Sequence, residues 1–283
     1  MSTPMPQAAS DTRAADHSFG EVLRETRGAR KLSQLDLAVE AGISQRHLSF
    51  LESGRARPSR GMVLQLAESL ELPLRNRNRN RLLVAAGFAP VFPQRPLDSE
   101  AMAPVRQALE RLLQHHEPYP ALVMDRVWNV LMTNRALDRL TDMQGNADEM
   151  WRRVCGDGPR NMLKLTFHPQ GLRPLIANMA EVGSHLLARA RLEALEDPAV
   201  ARLLDEILAY PDIPARWKVA EPVSHPPPVL PAQLRLGEAR LNLFTMLSTF
   251  GTPQDITTDS LRVEHLFPAD AESEALLKRL AGM

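Results

Sequence analysis

Between residues 18 and 88, apolar positions recur at helical spacing in short blocks of eight to eleven residues, broken by Gly28, Gly42, Gly54 and Pro58. Glycine permits positive φ and proline removes a backbone donor, so each break ends a helix, and the pattern predicts five short helices packed as one all-α unit. Ser33-Gln34-Leu35-Asp36 opens one of them with a hydroxyl at the N-cap and a carboxylate three residues later. Leu35, Leu37 and Ala38 then supply its inward face. Gly42 stops that helix and Ser44 caps the next, in which Leu48 and Leu51 point inward with Ile43. Gln45, Arg46, Ser49 and Phe50 are left facing outward. The result is a helix-turn-helix.

The text changes at Phe88-Ala-Pro-Val-Phe-Pro-Gln-Arg-Pro-Leu97, where three prolines in ten residues discourage helix. The expected organisation is a disordered tail over residues 1–17, the helical unit over 18–88, a proline-rich linker over 89–99 and a second domain over 100–283. In that domain the pattern predicts a helix from Ala101 to Gln114, a strand at Ala121–Met124 and further helices from Asn134 to Ala209. Strands follow at Gln233–Leu236 and Leu241–Phe250, joined by Gly237-Glu238, and at Leu261–Phe267. An α/β (α+β) domain with an antiparallel sheet is the consequence. The stretch Pro222–Pro231 reads as an extended connector inside it.

Composition narrows the setting. One cysteine, Cys155, allows no internal disulfide, and no apolar run approaches the roughly 20 residues of a membrane span, so a cytoplasmic protein is expected. The zero net charge hides an asymmetry: residues 1–95 hold 14 Lys/Arg against 9 Asp/Glu, and residues 96–283 hold 20 against 25. A basic first half suits phosphate.

The outward helix face has chemistry that matches duplex DNA. A major groove admits one α-helix, whose first turn reaches base edges, where Gln pairs with adenine and Arg with guanine through two hydrogen bonds. Gln45 and Arg46 fit that role. Ser49 belongs to the same outward reading head, while Gln34 and Ser44, at helix starts, are suited to hold phosphate oxygens, with Arg55, Arg57 and Arg60 extending the electrostatic contact. Phe50 reads either as a thymine-methyl contact or as partial packing under the helix. The tract Arg75–Arg81 alternates Arg and Asn but precedes Leu82-Leu83-Val84, so it reads as the solvent-facing start of a fifth helix before it reads as a nucleic-acid tail.

Ser33-Gln34, Leu37-Ala38, Gly42-Ile43-Ser44, Leu48-Ser49, Leu51-Glu52, Gly54 and Pro58 together resemble the xenobiotic-response-element and phage-repressor helix-turn-helix domains. The resemblance implies a buried ion pair between the first helix and the end of the recognition helix, here Arg27 with Glu52. It also implies a double-stranded operator and a homodimer.

The second domain offers no catalytic constellation. His115-His116 diverge on a helix, His168 precedes a proline, and no His-x-x-x-His, P-loop or dinucleotide fingerprint occurs. Cys155 sits before a turn-like Gly-Asp-Gly-Pro, without a nucleophile motif. Neither an enzyme nor a metal or cofactor protein is expected. Three stretches, Ala121–Leu131 with Asn134, Asn161–Arg173 with Asn178, and Thr249–Asp270, resemble regulators with an MmyB-like ligand-binding domain, in which a repressor-type reader precedes a PAS-like sensor. That resemblance implies helices over one face of the sheet and a small apolar, fatty-acid-like ligand. Met124, Trp128, Met162, Leu165, Met179, Phe244 and Met246 are candidates to line a cavity between the layers, or to pack the core. Asn134, Asn161, Arg173, Asn178 and His185 are candidates for an acyl carboxylate. The alternative is a domain that serves only dimerisation or protein interaction.

Overall fold

A computed structural model describes residues 18–70, 76–143, 145–195, 197–219, 229–251 and 253–283. The tail over 1–17, the Arg75 end of the Arg/Asn tract and most of the second proline-rich stretch lie outside the described residues. The chain divides into two compact units, Met1–Pro93 and Gln94–Met283.

The first unit holds α1 (Phe19–Ala29), α2 (Gln34–Glu40), α3 (Gln45–Glu52), α4 (Arg60–Ser69) and α5 (Asn76–Ala85). Ser18, Ser33, Ser44 and Ser59 each accept from the backbone N–H three residues on, which satisfies an otherwise orphaned donor at the start of each of the first four helices. Leu23, Leu37, Leu48, Leu51, Leu66, Leu82 and Leu83 form the core and are fully buried. Leu35 was expected inward and is instead 54% exposed. It lies two residues from Leu37, roughly 200° around the helix, so both cannot face one core. Gly20 is where α1 meets α3: a Cβ there would stand 2.4 Å from the Glu52 carbonyl oxygen.

Two arginines of the tract pair with neighbouring helices. Arg79 lies 3.4 Å from Glu68 on α4 and Arg81 lies 2.6 Å from Glu25 on α1. Asn80 is buried among them. Its Nδ2 donates to the Phe92 carbonyl at 2.6 Å, and its Oδ1 accepts from the N–H groups of Val91 and Phe92 at 2.9 and 3.1 Å. The proline-rich segment is thus anchored on α5 up to Phe92.

The second unit opens with α6 (Ala103–His115), behind a short 3-10 turn at Glu100–Met102. Its sheet is antiparallel throughout, in the order β2-β1-β5-β4-β3, with β1 (Ala121–Met124), β2 (Val130–Thr133), β3 (Ala232–Leu236), β4 (Ala239–Ser248) and β5 (Arg262–Pro268). Between β2 and β3 run α7 (Arg135–Asp142), α8 (Ala147–Cys155), α9 (Met162–Phe167), α10 (Met179–Ala194) and α11 (Pro198–Leu208). Helix α12 (Ile256–Ser260) precedes β5 and α13 (Ala271–Leu280) follows it. Near its start, Arg95 pairs with Asp255 at 3.1 Å, and the Arg95 carbonyl accepts from Thr257 Oγ1 at 2.6 Å.

Helices cover both faces of the sheet at β1, not one. Leu109 and Leu113 of α6 pack on Ala121, Val123 and Val263, while Met124 on the opposite face joins Trp128, Phe167, Leu187 and Trp217. All four β1 residues are consequently fully buried. Leu241 and Leu243 of β4 pack against Leu276 and Leu277 of α13.

Candidate DNA-reading face and ligand-binding unit

The turn between α2 and α3 depends on Gly42, whose φ is +61°, and closes with the Ile43 N–H donating to the Ala38 carbonyl at 2.9 Å. Leu48 and Leu51 hold α3 in the core, which leaves Gln45 and Arg46 exposed in its first turn and Ser49 and Phe50 half-buried beyond them. The expected reading residues therefore share one outward face. Arg55, Arg57 and Arg60 are exposed in the following loop and at the start of α4. The Arg46 guanidinium lies 5.3 Å from the centroid of the Phe50 ring and that of Arg55 lies 6.0 Å from it.

Glu52 ends α3 with its side chain 1% exposed. Arg27 Nε and its terminal nitrogen donate to the two carboxylate oxygens at 2.6 and 3.0 Å, and Gln34 Nε2 adds a third bond at 2.8 Å. Burial pushes this carboxyl up, but the bonds from Arg27 and Gln34 and the charges of Arg27 and Arg24 outweigh it and hold it below its ordinary value. Arg24, not singled out by the sequence, donates to the Glu52 carbonyl at 2.9 Å. Gln34 was expected at a helix start where side chains and free backbone N–H groups can hold phosphate; its side-chain amide nitrogen is engaged on Glu52.

In the second unit, several candidate ligand donors turn out to be internal ties. Asn134 caps α7: its Oδ1 accepts from Ala121 and Leu137 at 3.0 Å each, and its Nδ2 donates to the carbonyls of Leu113 and Tyr119. Asn161 caps α9 by accepting from Lys164 and donates to Val127 and Asn129. Asn178 bonds Pro231 and Gln233, fastening β3 to the start of α10. Such groups have little capacity left for a ligand. His185 is exposed on α10, two residues before the buried Leu187 and thus on the opposite side of the helix.

The expected apolar lining also divides. Met124 and Trp128 are packed into the core, and the Trp128 indole donates to Glu193 at 2.8 Å beneath the Arg189 guanidinium. Leu165 packs against Met150, Trp151 and Val154 of α8, with Met162 at the margin. Phe244 and Met246 alternate with the buried Leu241 and Leu243 and so lie on the other face of β4, where Met246 is 51% exposed and Phe244 stacks on Phe267.

Arg173 and Met179 do come together. They line an open cleft of about 330 Å³ with Arg216, Trp217, Ala180, Asp212, Pro169, Pro174 and Pro214. Arg173 is held by a bond to the Pro211 carbonyl at 2.9 Å. The Trp217 ring is pressed against Gly183, stands edge-on to Phe167 at 5.6 Å and donates to Ser184 Oγ at 3.1 Å. Its lining side chains are apolar except for those of Arg173, Arg216 and Asp212.

Burial pushes the Cys155 thiol up, away from the thiolate that nucleophilic chemistry requires. Among the described residues no group of three or more metal-ligating side chains occurs, and no helix is long and apolar enough to cross a membrane.

Residues 105–280 match the family described as MmyB-like transcription regulator ligand binding domain, and residues 23–75 match a helix-turn-helix family. The chain is 36% identical over 106 residues to an uncharacterized HTH-type transcriptional regulator, RghRB, of Bacillus subtilis (strain 168), covering 37% of this chain and 66% of that protein. It is 33% identical over 119 residues to the HTH-type transcriptional repressor RghR of the same organism, covering 40% of this chain and 79% of that one. The chain thus spans just under two thirds of the first relative's length. A solved structure of an RNA-binding light-oxygen-voltage receptor is matched over 99% of this chain and 70% of that one at 15% identity and a TM-score of 0.25. With a helix-turn-helix domain ahead of a second unit matched over most of its length, the chain belongs to the transcription regulators that carry an MmyB-like ligand-binding domain.

Proposed function

We propose that this regulator reads operator DNA as a homodimer through α3 and that a small fatty-acid-like ligand in the second unit sets its affinity. The observation that carries the DNA reading is the exposure of Gln45 and Arg46 in the first turn of a serine-capped helix whose opposite face is locked in a leucine core. On this reading Gln45 and Arg46, with Ser49 on the same face, look toward base edges, Ser44 and the Gln34 backbone meet phosphate, and Arg55 extends the backbone contact. Selection of duplexes from a randomised pool tests it. Two half-sites about one helical turn apart are expected, and Arg46→Ala should relax choice at one base pair at a cost of about 1–3 kcal/mol. An equal loss on every sequence would make Arg46 a phosphate contact only.

The cleft at Arg173 and Trp217 supports an amphipathic acid as ligand, with the carboxylate on Arg173 or Arg216 and the chain against Met179 and Trp217. On this reading the protein acts in the cytoplasm and without catalysis. Mass spectrometry of gently purified protein should find a retained acyl chain, lost in the Arg173→Ala/Arg216→Ala double variant. Ligand and operator affinities should change by the same factor, since coupling is reciprocal. A dimerisation or protein-interaction role for the second unit is the alternative, favoured by the half-open sheet face with Phe244, Met246 and Phe267. An empty unit whose dimer dissociates on Met246→Glu would decide for it.

A further inference from the structure

Phe50 is a large apolar side chain on a helix face otherwise made of Gln45, Arg46 and Ser49. The core beneath α3 is built by Leu48 and Leu51 with Ile43, Ala56 and Met62 at its margin, and Phe50 is not part of it. The groups over its ring are the guanidiniums of Arg46 and Arg55, at 5.3 and 6.0 Å from the centroid. Arg46 and Phe50 stand four residues apart, one turn of α3, so their side chains share a side of the helix. Arg55 comes from the loop that follows α3. Gly54, with φ +72°, lets the chain reverse, and the Ala56 N–H donates to the Phe50 backbone carbonyl at 3.1 Å, which turns the loop that carries Arg55 back toward the end of α3.

A guanidinium over an aromatic face is attracted by the ring quadrupole without any of its N–H donors being spent on a hydrogen bond. Such a contact therefore orders a long side chain and leaves the donors for a guanine or a phosphate. An arginine ordered beforehand also loses less freedom when it binds. We propose that Phe50 is a positioning residue for DNA recognition, whose ring aligns Arg46 for a base edge and Arg55 for the neighbouring phosphate and so ties the two contacts together. This rests on the reading of α3 proposed above. Phe50 sets preference at the base pair under Arg46 without touching a base itself.

The test uses the full chain and a duplex enriched by the wild type from a randomised pool, with Phe50→Leu, which keeps apolar bulk but removes the π face, and Phe50→Trp, which retains it. Phe50→Leu is expected to keep the wild-type melting temperature within a few degrees, to bind the enriched duplex about three- to tenfold more weakly, and to lose discrimination at the same base pair as Arg46→Ala. Combining Phe50→Leu with Arg46→Ala should cost less than the two effects added, and Phe50→Trp should restore affinity and preference together. The inference is overturned if Phe50→Leu discriminates like wild type, if Phe50→Leu and Phe50→Trp fail alike, or if the loss falls on a thymine at a different base pair, which would be a direct methyl contact. A wild-type chain that enriches no duplex overturns the reading of α3 itself, and that result precedes any variant.

Discussion

Three titratable side chains of the second unit, Glu264, His116 and His265, shift the stability of the fold with pH in opposite directions. Burial pushes the Glu264 carboxyl from 4.5 up to about 7, with the Arg189 charge working against it. The folded protein keeps a proton there that the unfolded chain releases, so the stability from this group is full below about 4.5 and is lost as pH rises through about 7. His116 and His265, with ring centroids 4.9 Å apart, are both lowered, first by burial and for His265 also by the charge of His116. Their contribution is present above about 6.5 and is lost as pH falls through the depressed values. Denaturant titrations from pH 5 to 8 should show Glu264→Gln gaining on wild type as pH rises, by at most about 3 kcal/mol. Identical pH slopes for the two proteins would mean that Glu264 is ionised without penalty.

At the scale of elements, Glu52 matters because it joins three helices, receiving Arg27 from α1 and Gln34 from α2 at the end of α3. Removing a buried partner leaves the other charge uncompensated, so Glu52→Ala should cost about 3–5 kcal/mol in urea unfolding, whereas Arg27→Met/Glu52→Met should cost far less. Equal losses in both would show packing, not charge, to be at stake. The meeting of α10 with the segment after α11 is similarly tight: a Cβ on Gly183 would stand 2.5 Å from the Trp217 ring. Gly183→Ala should destabilise by about 1–3 kcal/mol and displace that ring from the cleft, readable as reduced near-ultraviolet circular dichroism. Elements whose signals are local were legible in the sequence. The Ser33–Asp36 capping box, the Gly42 turn and the β3–β4 hairpin all depend on residues within a few positions of each other. Strand β2 was not legible, since its four residues are an edge paired on one side and lack alternating burial. Asn134 and Asn161 carried a usable signal, each standing directly before a helix where Asn caps, but their partners Tyr119, Val127 and Asn129 come from other turns of the chain. A ligand donor and a structural tie look the same until those partners are known.

Across the whole molecule, the connection between the units is short in effect though long in sequence. Asn80 anchors the chain up to Phe92, and Asp255 and Thr257 anchor it from Arg95, which leaves Pro93-Gln94 between the two. Inserting six Gly/Ser residues between Pro93 and Gln94 should leave affinity for one half-site unchanged while abolishing any effect of ligand on operator binding. Retained coupling in a fluorescence-anisotropy titration with and without ligand would show that the signal does not travel along the chain. The Trp217 ring at the cleft wall also gives the second unit a spectroscopic handle. All three tryptophans, Trp128, Trp151 and Trp217, belong to the second unit, so the DNA-reading unit is dark at the wavelengths that excite indole alone. The emission of the unlabelled chain is therefore a private channel for the ligand-binding half, with one fluorophore at the cleft wall. If adding operator duplex changes that emission, light from one half will have reported an event in the other.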